Sequence, residues 1–176
     1  MPGQLQAALN RLRAIDAGLL TLVPQTAAHA EEMFAVLSDP ALYRYENEPP
    51  ESLEWLRARF ARLESRRSAD GREQWLNWVL RLDARLIGYV QATVHPDGQA
   101  AIAYVLSSAY WRRGLATQAV AAMIAELVEH YGVRRLSAVL KRDNLPSRRL
   151  LERLGFSLAP GDVPADELRM AYWQDC

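Results

Sequence analysis

The stretch Tyr110-Trp111-Arg112-Arg113-Gly114-Leu115-Ala116-Thr117 holds the residues whose types and spacing best suit a chemical task, the binding of an anion. It joins an alternating run, Ile102, Tyr104 and Leu106 against Ala103 and Val105, to a run with helical spacing at Ala116, Ala119, Val120, Met123, Leu127 and Tyr131. Small residues at Gly114 and Ala116 let backbone N–H groups approach a ligand with no Cβ in the way. Those amides open a helix, where unsatisfied donors and the positive dipole end favour a phosphate. The chemistry indicated is an anion cradle, with a nucleotide-bearing cofactor among its candidate occupants. A glycine needed for turn geometry alone would leave the same trace.

A second segment follows a short strand over residues 135–140 and contains Asn144, Ser147, Arg149, Gly155 and Phe156. Taken with Tyr-Trp-x-Arg-Gly-x-Ala-Thr upstream, the pattern Asn-x-x-Ser-x-Arg and the later Gly-Phe resemble the GNAT family of acyl-CoA-dependent N-acetyltransferases. Within that family the chain looks like the Rim-type branch of ribosomal-protein N-terminal acetyltransferases. The resemblance runs from about Leu19 to the C-terminus. It implies a GNAT fold, a largely antiparallel twisted sheet flanked by helices, whose fourth and fifth strands splay apart to admit acetyl-CoA. Those strands are expected at residues 101–107 and 135–140.

The resemblance also implies roles. Backbone amides of Arg112, Arg113, Gly114, Leu115, Ala116 and Thr117 would hold the pyrophosphate of acetyl-CoA. The edge formed by Val105, Leu106 and Ser107 would pair with the pantetheine amides as a strand pairs with a peptide, and an N–H there would polarise the thioester carbonyl. Asn144 would bond the pantetheine arm or cap the helix that Pro146 begins.

Transfer to an amine needs two proton movements: the acceptor ammonium must lose one and the departing thiolate must gain one. Many family members use a tyrosine seven residues after the motif asparagine as the acid, but that position is Leu151 here. Ser147, the serine of the Rim-type branch, is the expected proton donor. The branch often carries a glutamate in Ala-Glu-Ile-Gly-Tyr; this chain reads Ala100-Ala101-Ile102-Ala103-Tyr104. Ala101 cannot accept a proton. Either the acceptor enters already neutral, or Glu46 or Glu48, in an acidic and aromatic loop over residues 41–50, acts as base. The reaction expected is acetyl transfer from acetyl-CoA to a primary amine, on a peptide N-terminus or a small molecule, by direct transfer in a ternary complex. A non-catalytic acyl-CoA-binding module and a drug-modifying acetyltransferase are the alternatives.

Composition sets the outer limits. The 176 residues balance 21 basic against 21 acidic side chains, so no net field points to nucleic acid or an anionic membrane. Cys176 is the sole cysteine and no His, Cys or carboxylate spacing suggests a metal. No stretch approaches the ~20 apolar residues of a membrane span and no signal peptide opens the chain, so a cytoplasmic address is expected, as monomer or homodimer.

The elements that must position these groups read as an α+β (mixed α/β) domain over residues 19–176, preceded by a helical extension over residues 1–18. Leu5, Ala8, Leu9, Leu12 and Ile15 share a face of that extension. A strand over residues 19–23 comes next, then a helix capped by Thr26 and stopped at Ser38-Asp39-Pro40. A second helix is capped by Ser52. Residues 76–82 and 86–94 read as a hairpin, His95 to Gly98 as a turn, and residues 168–173 as a final strand. On the long helix Gln118, Ala122, Glu126 and Glu129 are expected on the solvent side, and both faces of the strand before the cradle are expected to be covered.

Overall fold

The described residues, 12–46 and 48–174 of a computed structural model, form eight strands and four α-helices. The chain runs β1 (Ile15–Ala17), β2 (Leu20–Pro24), α1 (Ala30–Leu37), α2 (Leu53–Leu63), β3 (Gln74–Leu82), β4 (Arg85–Val94) and β5 (Gln99–Leu106). It continues through α3 (Leu115–Tyr131), β6 (Arg135–Lys141), α4 (Leu145–Arg153), β7 (Ser157–Ala159) and β8 (Glu167–Trp173). The strands make one sheet in the order β1-β2-β3-β4-β5-β6-β8-β7, antiparallel at every step except β5–β6. The α+β reading with a largely antiparallel sheet is correct.

Period-two alternation divides the apolar residues between two layers. Leu22, Trp78, Leu80, Ile87, Val90 and Ile102 meet Ala119, Val120, Met123 and Leu127 of α3 together with Leu150 and Leu151 of α4. On the opposite face Val79, Leu86 and Val105 meet Met33 of α1 and Leu56 and Phe60 of α2. Each large side chain so buried contributes roughly 1.5–3 kcal/mol. Helix ends follow local chemistry. The Ser52 hydroxyl accepts from Trp55 N–H at 3.0 Å, and α1 stops where Asp39 accepts from Ala41 N–H at 3.0 Å to start a 3-10 turn, Pro40–Arg44. The acidic loop therefore begins as an ordered turn.

Several expectations need correction. Leu5, Ala8 and Leu9 lie outside the described residues, but Ile15 is not helical: it belongs to β1, which pairs with β2 through Ile15 and Leu22. The strand expected at 19–23 is the second of the sheet, Leu20–Pro24, so the splaying strands are β5 and β6 in chain order. The short β7 pairs with β8 and escaped the reading because three residues show no period. Glu126 is not on a solvent face. It is 5 % exposed, because Arg13, just before β1, lies over it with Nε 2.9 Å and Nη2 2.7 Å from its carboxylate oxygens. Nor is β5 covered on both faces: Ala101 and Ala103 are exposed on the α1–α2 side.

Candidate active site

β5 ends in a 3-10 turn, Ser108–Tyr110, and the chain then crosses Arg112 at φ 62 and Gly114 at φ 74 before α3 begins. Gly114 is the N-cap of this helix of 17 residues, no side chain caps it, and no acidic residue occupies its first turn. A Cβ built on Gly114 would meet nothing within 4 Å, so the space beside this N-cap is open. A donor-rich, uncapped helix start facing open space is what an anion requires. The turn is tied back to the strand by Trp111, whose Nε1–H donates to Leu106 O at 2.8 Å. Arg113 lies over the Tyr110 ring at 5.4 Å.

The cleft beside this cradle comes from strand divergence. β5 and β6 pair only through Gln99–Arg135, Ala100–Leu136 and Ala101–Ser137, and part beyond them. Ser107 N–H donates to Ile87 O at 2.8 Å, so Ser107 and Val105 direct their N–H groups toward β4, and Tyr104 and Leu106 direct theirs into the gap. β4 can approach this closely only because residue 88 is glycine: a Cβ there would lie 2.1 Å from Val105 O. Of the three edge residues expected to meet the pantetheine arm, the amide facing the gap is that of Leu106.

Across the gap, Asn144 caps α4, its Oδ1 accepting from Ser147 N–H at 3.2 Å. That hydrogen bond uses the oxygen and leaves the amide nitrogen for a ligand. The Ser147 hydroxyl is hydrogen-bonded to the Tyr104 phenol at 2.5 Å. Burial pushes the Tyr104 phenol up to about 12, so it is neutral throughout the ordinary pH range. Leu151 is fully buried in the main core, with no route for its position to serve the cleft.

On the α1–α2 side of β5 lies a cavity of about 260 Å³. Glu46, Glu48, Tyr89, Gln25, Arg59 and Val105 are among the residues lining it. Burial pushes the Glu46 carboxyl up to about 7. The residue is nevertheless exposed as a whole, and water around it works against the shift. The loop that carries Glu46 is anchored to the cofactor side by Asp39, whose Oδ2 accepts from Ser108 N–H at 3.1 Å and from the Ser108 hydroxyl at 2.5 Å. The hydroxyl bond holds the Asp39 carboxyl below the usual carboxylate range. Among the described residues no group of three or more His, Cys, Asp or Glu is placed to hold a metal, and no helix is long and apolar enough to cross a membrane.

The family model for the acetyltransferase (GNAT) domain matches residues 20–157. The chain belongs to the GNAT acetyltransferase family. It is therefore an acetyl-CoA-dependent acyltransferase of the N-acetyltransferase kind. It is 26% identical over 146 residues, 81% of each chain, to the uncharacterized N-acetyltransferase YoaA of Bacillus subtilis. In fold it is similar to a RimL ribosomal L7/L12 α-N-protein acetyltransferase solved with coenzyme A, at TM-score 0.79 and 17% identity over 91% of this chain and 97% of that one. It is also similar to the microcin C7 self-immunity acetyltransferase MccE solved with acetyl-CoA and AMP, at TM-score 0.77 and 16% identity over 95% and 99% of the two chains.

Within this GNAT frame the structure brings the expected residues into two groups on either side of β5. Arg112 to Thr117, Leu106, Asn144 and Ser147 gather at the gap and cradle, and Glu46 and Glu48 line the cavity. Sequence reasoning missed two residues. Tyr104 was read only as an apolar strand position, although its place in the Tyr of Ala-x-Ile-x-Tyr and its hydroxyl were visible. Gln25 was not singled out at all; its signal, a glutamine just past a strand, is indistinguishable from surface polarity until its surroundings are known.

Proposed function

We propose that this enzyme transfers an acetyl group from acetyl-CoA to a primary amine held in the Glu46 cavity, by direct transfer within a ternary complex. The observation that carries the reading is the position of β5. Its open edge and the uncapped α3 start lie toward one cleft, while buried Val105 lines the cavity on its other side. The residues present fit the cofactor: uncapped first-turn amides from Gly114 to Thr117 suit a pyrophosphate, and the free N–H groups of Tyr104 and Leu106 suit an amide-bearing arm. When bound, acetyl-CoA supplies an acetyl group activated as a thioester.

The chain's own part is proton management and positioning. Glu46 Oε takes the first proton from the acceptor ammonium; a carboxyl near 7 is well matched to that task close to neutral pH. The new C–N bond forms as the C–S bond breaks. Ser147 Oγ–H would pass a proton to the departing sulfur and take one from the Tyr104 hydroxyl, which is reprotonated from solvent. The second N–H proton of the amine leaves to solvent, so one proton lost at nitrogen matches one gained at sulfur. Tyr104 is held neutral by burial and serves as donor rather than as a phenolate. The Asp39–Ser108 tie keeps the base-bearing loop in register with the strand that bears the cofactor edge.

The test is initial-rate kinetics of thiol release with acetyl-CoA and a panel of amines and N-terminal peptides. Intersecting double-reciprocal lines are expected; parallel lines would indicate a covalent acetyl-enzyme and overturn direct transfer. A protein that binds acetyl-CoA tightly by calorimetry yet releases no thiol with any amine would overturn catalysis itself.

A further inference from the structure

The cavity on the α1–α2 side of β5 is lined by three charged side chains, the carboxylates of Glu46 and Glu48 and the guanidinium of Arg59. Among the described residues Arg59 has no carboxylate within ion-pair distance, so the two signs of charge in the cavity do not meet. The spacing of α2 sets Arg59 there. Trp55, Leu56, Arg59, Phe60 and Leu63 recur along one stripe of the helix; Leu56 and Phe60 are buried, and Trp55 and Arg59 line the cavity beside them. The guanidinium lies over the Trp55 ring, 5.6 Å from its centroid. Stacking of this kind leaves the in-plane N–H donors free and holds the fork ready for a planar anion.

Tyr89 supplies a second donor. It faces the same helices from β4, opposite Val105 of β5. Its hydroxyl makes no hydrogen bond among the described residues, yet it is not one of the atoms sealed from solvent. Burial holds the phenol above its ordinary value; the Glu46 carboxylate adds to that rise and the Arg59 guanidinium opposes it. Glu46 is raised by burial alone, with no relief from Arg59. Glu46 and Arg59 are thus apart, with Tyr89 in reach of both.

These groups describe a ligand with two poles. Its ammonium answers Glu46, and an arginine fork beside a phenol O–H answers a carboxylate. A phosphate dianion would bring more negative charge than one guanidinium balances, in a cavity that already carries two carboxylates. Leu42, Leu56, Phe60 and Leu63 offer the rest of the molecule an apolar wall. At about 260 Å³ the space lies below the roughly 300–1,000 Å³ of drug-sized sites, so the molecule is small.

Resting on the acetyl-transfer reading above, we infer that the acceptor is a small amino acid with an apolar side chain, its free carboxylate bound by Arg59 and the Tyr89 hydroxyl, and that Arg59 is the residue that selects it.

The experiment measures kcat/KM for L-leucine, L-leucinamide, phosphoethanolamine and Ala-Asp-Ala amide in wild type, Arg59→Gln and Arg59→Lys. Wild type is expected to favour leucine over leucinamide about 10- to 100-fold, the range a charge-assisted pair supplies, although the amide's amine loses its proton more readily. Arg59→Gln should bring that ratio near one through a higher KM for leucine, and Arg59→Lys should keep part of it. Glutamine sustains a helix about as well as arginine, so the melting temperature should stay close to that of wild type. A wild type that does not prefer leucine, or a preference that survives in Arg59→Gln, would overturn the inference. Phosphoethanolamine turned over better than leucine would assign Arg59 to a phosphate, and Ala-Asp-Ala amide turned over better would assign it to an acidic peptide; either overturns the amino-acid class. Calorimetric titration of leucine into each protein saturated with CoA reads the same contrast without turnover. Arg59-dependent binding of leucine with no thiol release would refute the catalytic reading alone; active transfer with no Arg59 dependence would refute this one alone.

Discussion

Replacing Glu46 with glutamine removes the proposed base and keeps the side chain's volume. With its carboxyl at about 7, Glu46 is roughly one-tenth ionised at pH 6 and nine-tenths at pH 8, so kcat at saturating acetyl-CoA and acceptor should rise roughly tenfold across that interval. Water around Glu46 pulls the inflection toward the ordinary carboxylate value, and an acceptor that excludes this water moves it back up. Glu46→Gln should lower kcat about 10²- to 10⁴-fold at pH 8 and abolish the inflection. The assay is thiol release from pH 5 to 9 with acceptors whose amine pKa values differ by at least about two units. An inflection that tracks the acceptor's own pKa, or one that survives in Glu46→Gln, would show that the acceptor arrives already neutral and would refute the base. The same shift has a signature in stability. Between the unfolded value of 4.5 and about 7 the folded protein holds more protons than the unfolded chain, so stability falls as pH rises through that window. Glu46→Gln should flatten that fall in urea unfolding.

Gly114→Val should eliminate CoA binding in calorimetry by filling the open space beside the α3 N-cap. Its left-handed backbone at φ 74 should add a stability loss on the order of 1–2 kcal/mol, read as a lower urea midpoint. Ser147→Ala and Tyr104→Phe should each lower kcat with little change in CoA affinity, and the double variant should lose no more than the worse single one because both act on one proton path. Additive losses would separate the two hydroxyls. Arg13→Leu should lower the melting temperature, since it leaves the buried Glu126 carboxylate without its bidentate partner; an unchanged melting curve would show that His130, 3.3 Å away, suffices.

What the sequence determined by itself is the part of the protein built from contiguous residues. The anion cradle is a strand, a turn with glycine at a positive φ and a helix start, and each of these leaves its mark within about a dozen neighbouring positions. The caps at Ser52 and Asn144, the hairpin between β3 and β4 and the stop after α1 are equally local and were legible for the same reason. Period and propensity, however, say which residues share a face and not what covers that face. Glu126 falls on the polar side of α3 by spacing, and only the passage of Arg13 over it decides that it is buried. Ala101 and Ala103 read as covered, and only the absence of α1 and α2 from that part of β5 leaves them exposed. The hydrogen bond between the Tyr104 and Ser147 hydroxyls spans 43 positions, across a gap that exists because two parallel strands stop pairing after three residues. Gln25 stands furthest from any sequence signal: that it is buried with its Nε2 unbonded is a property of the neighbours the fold brings to it.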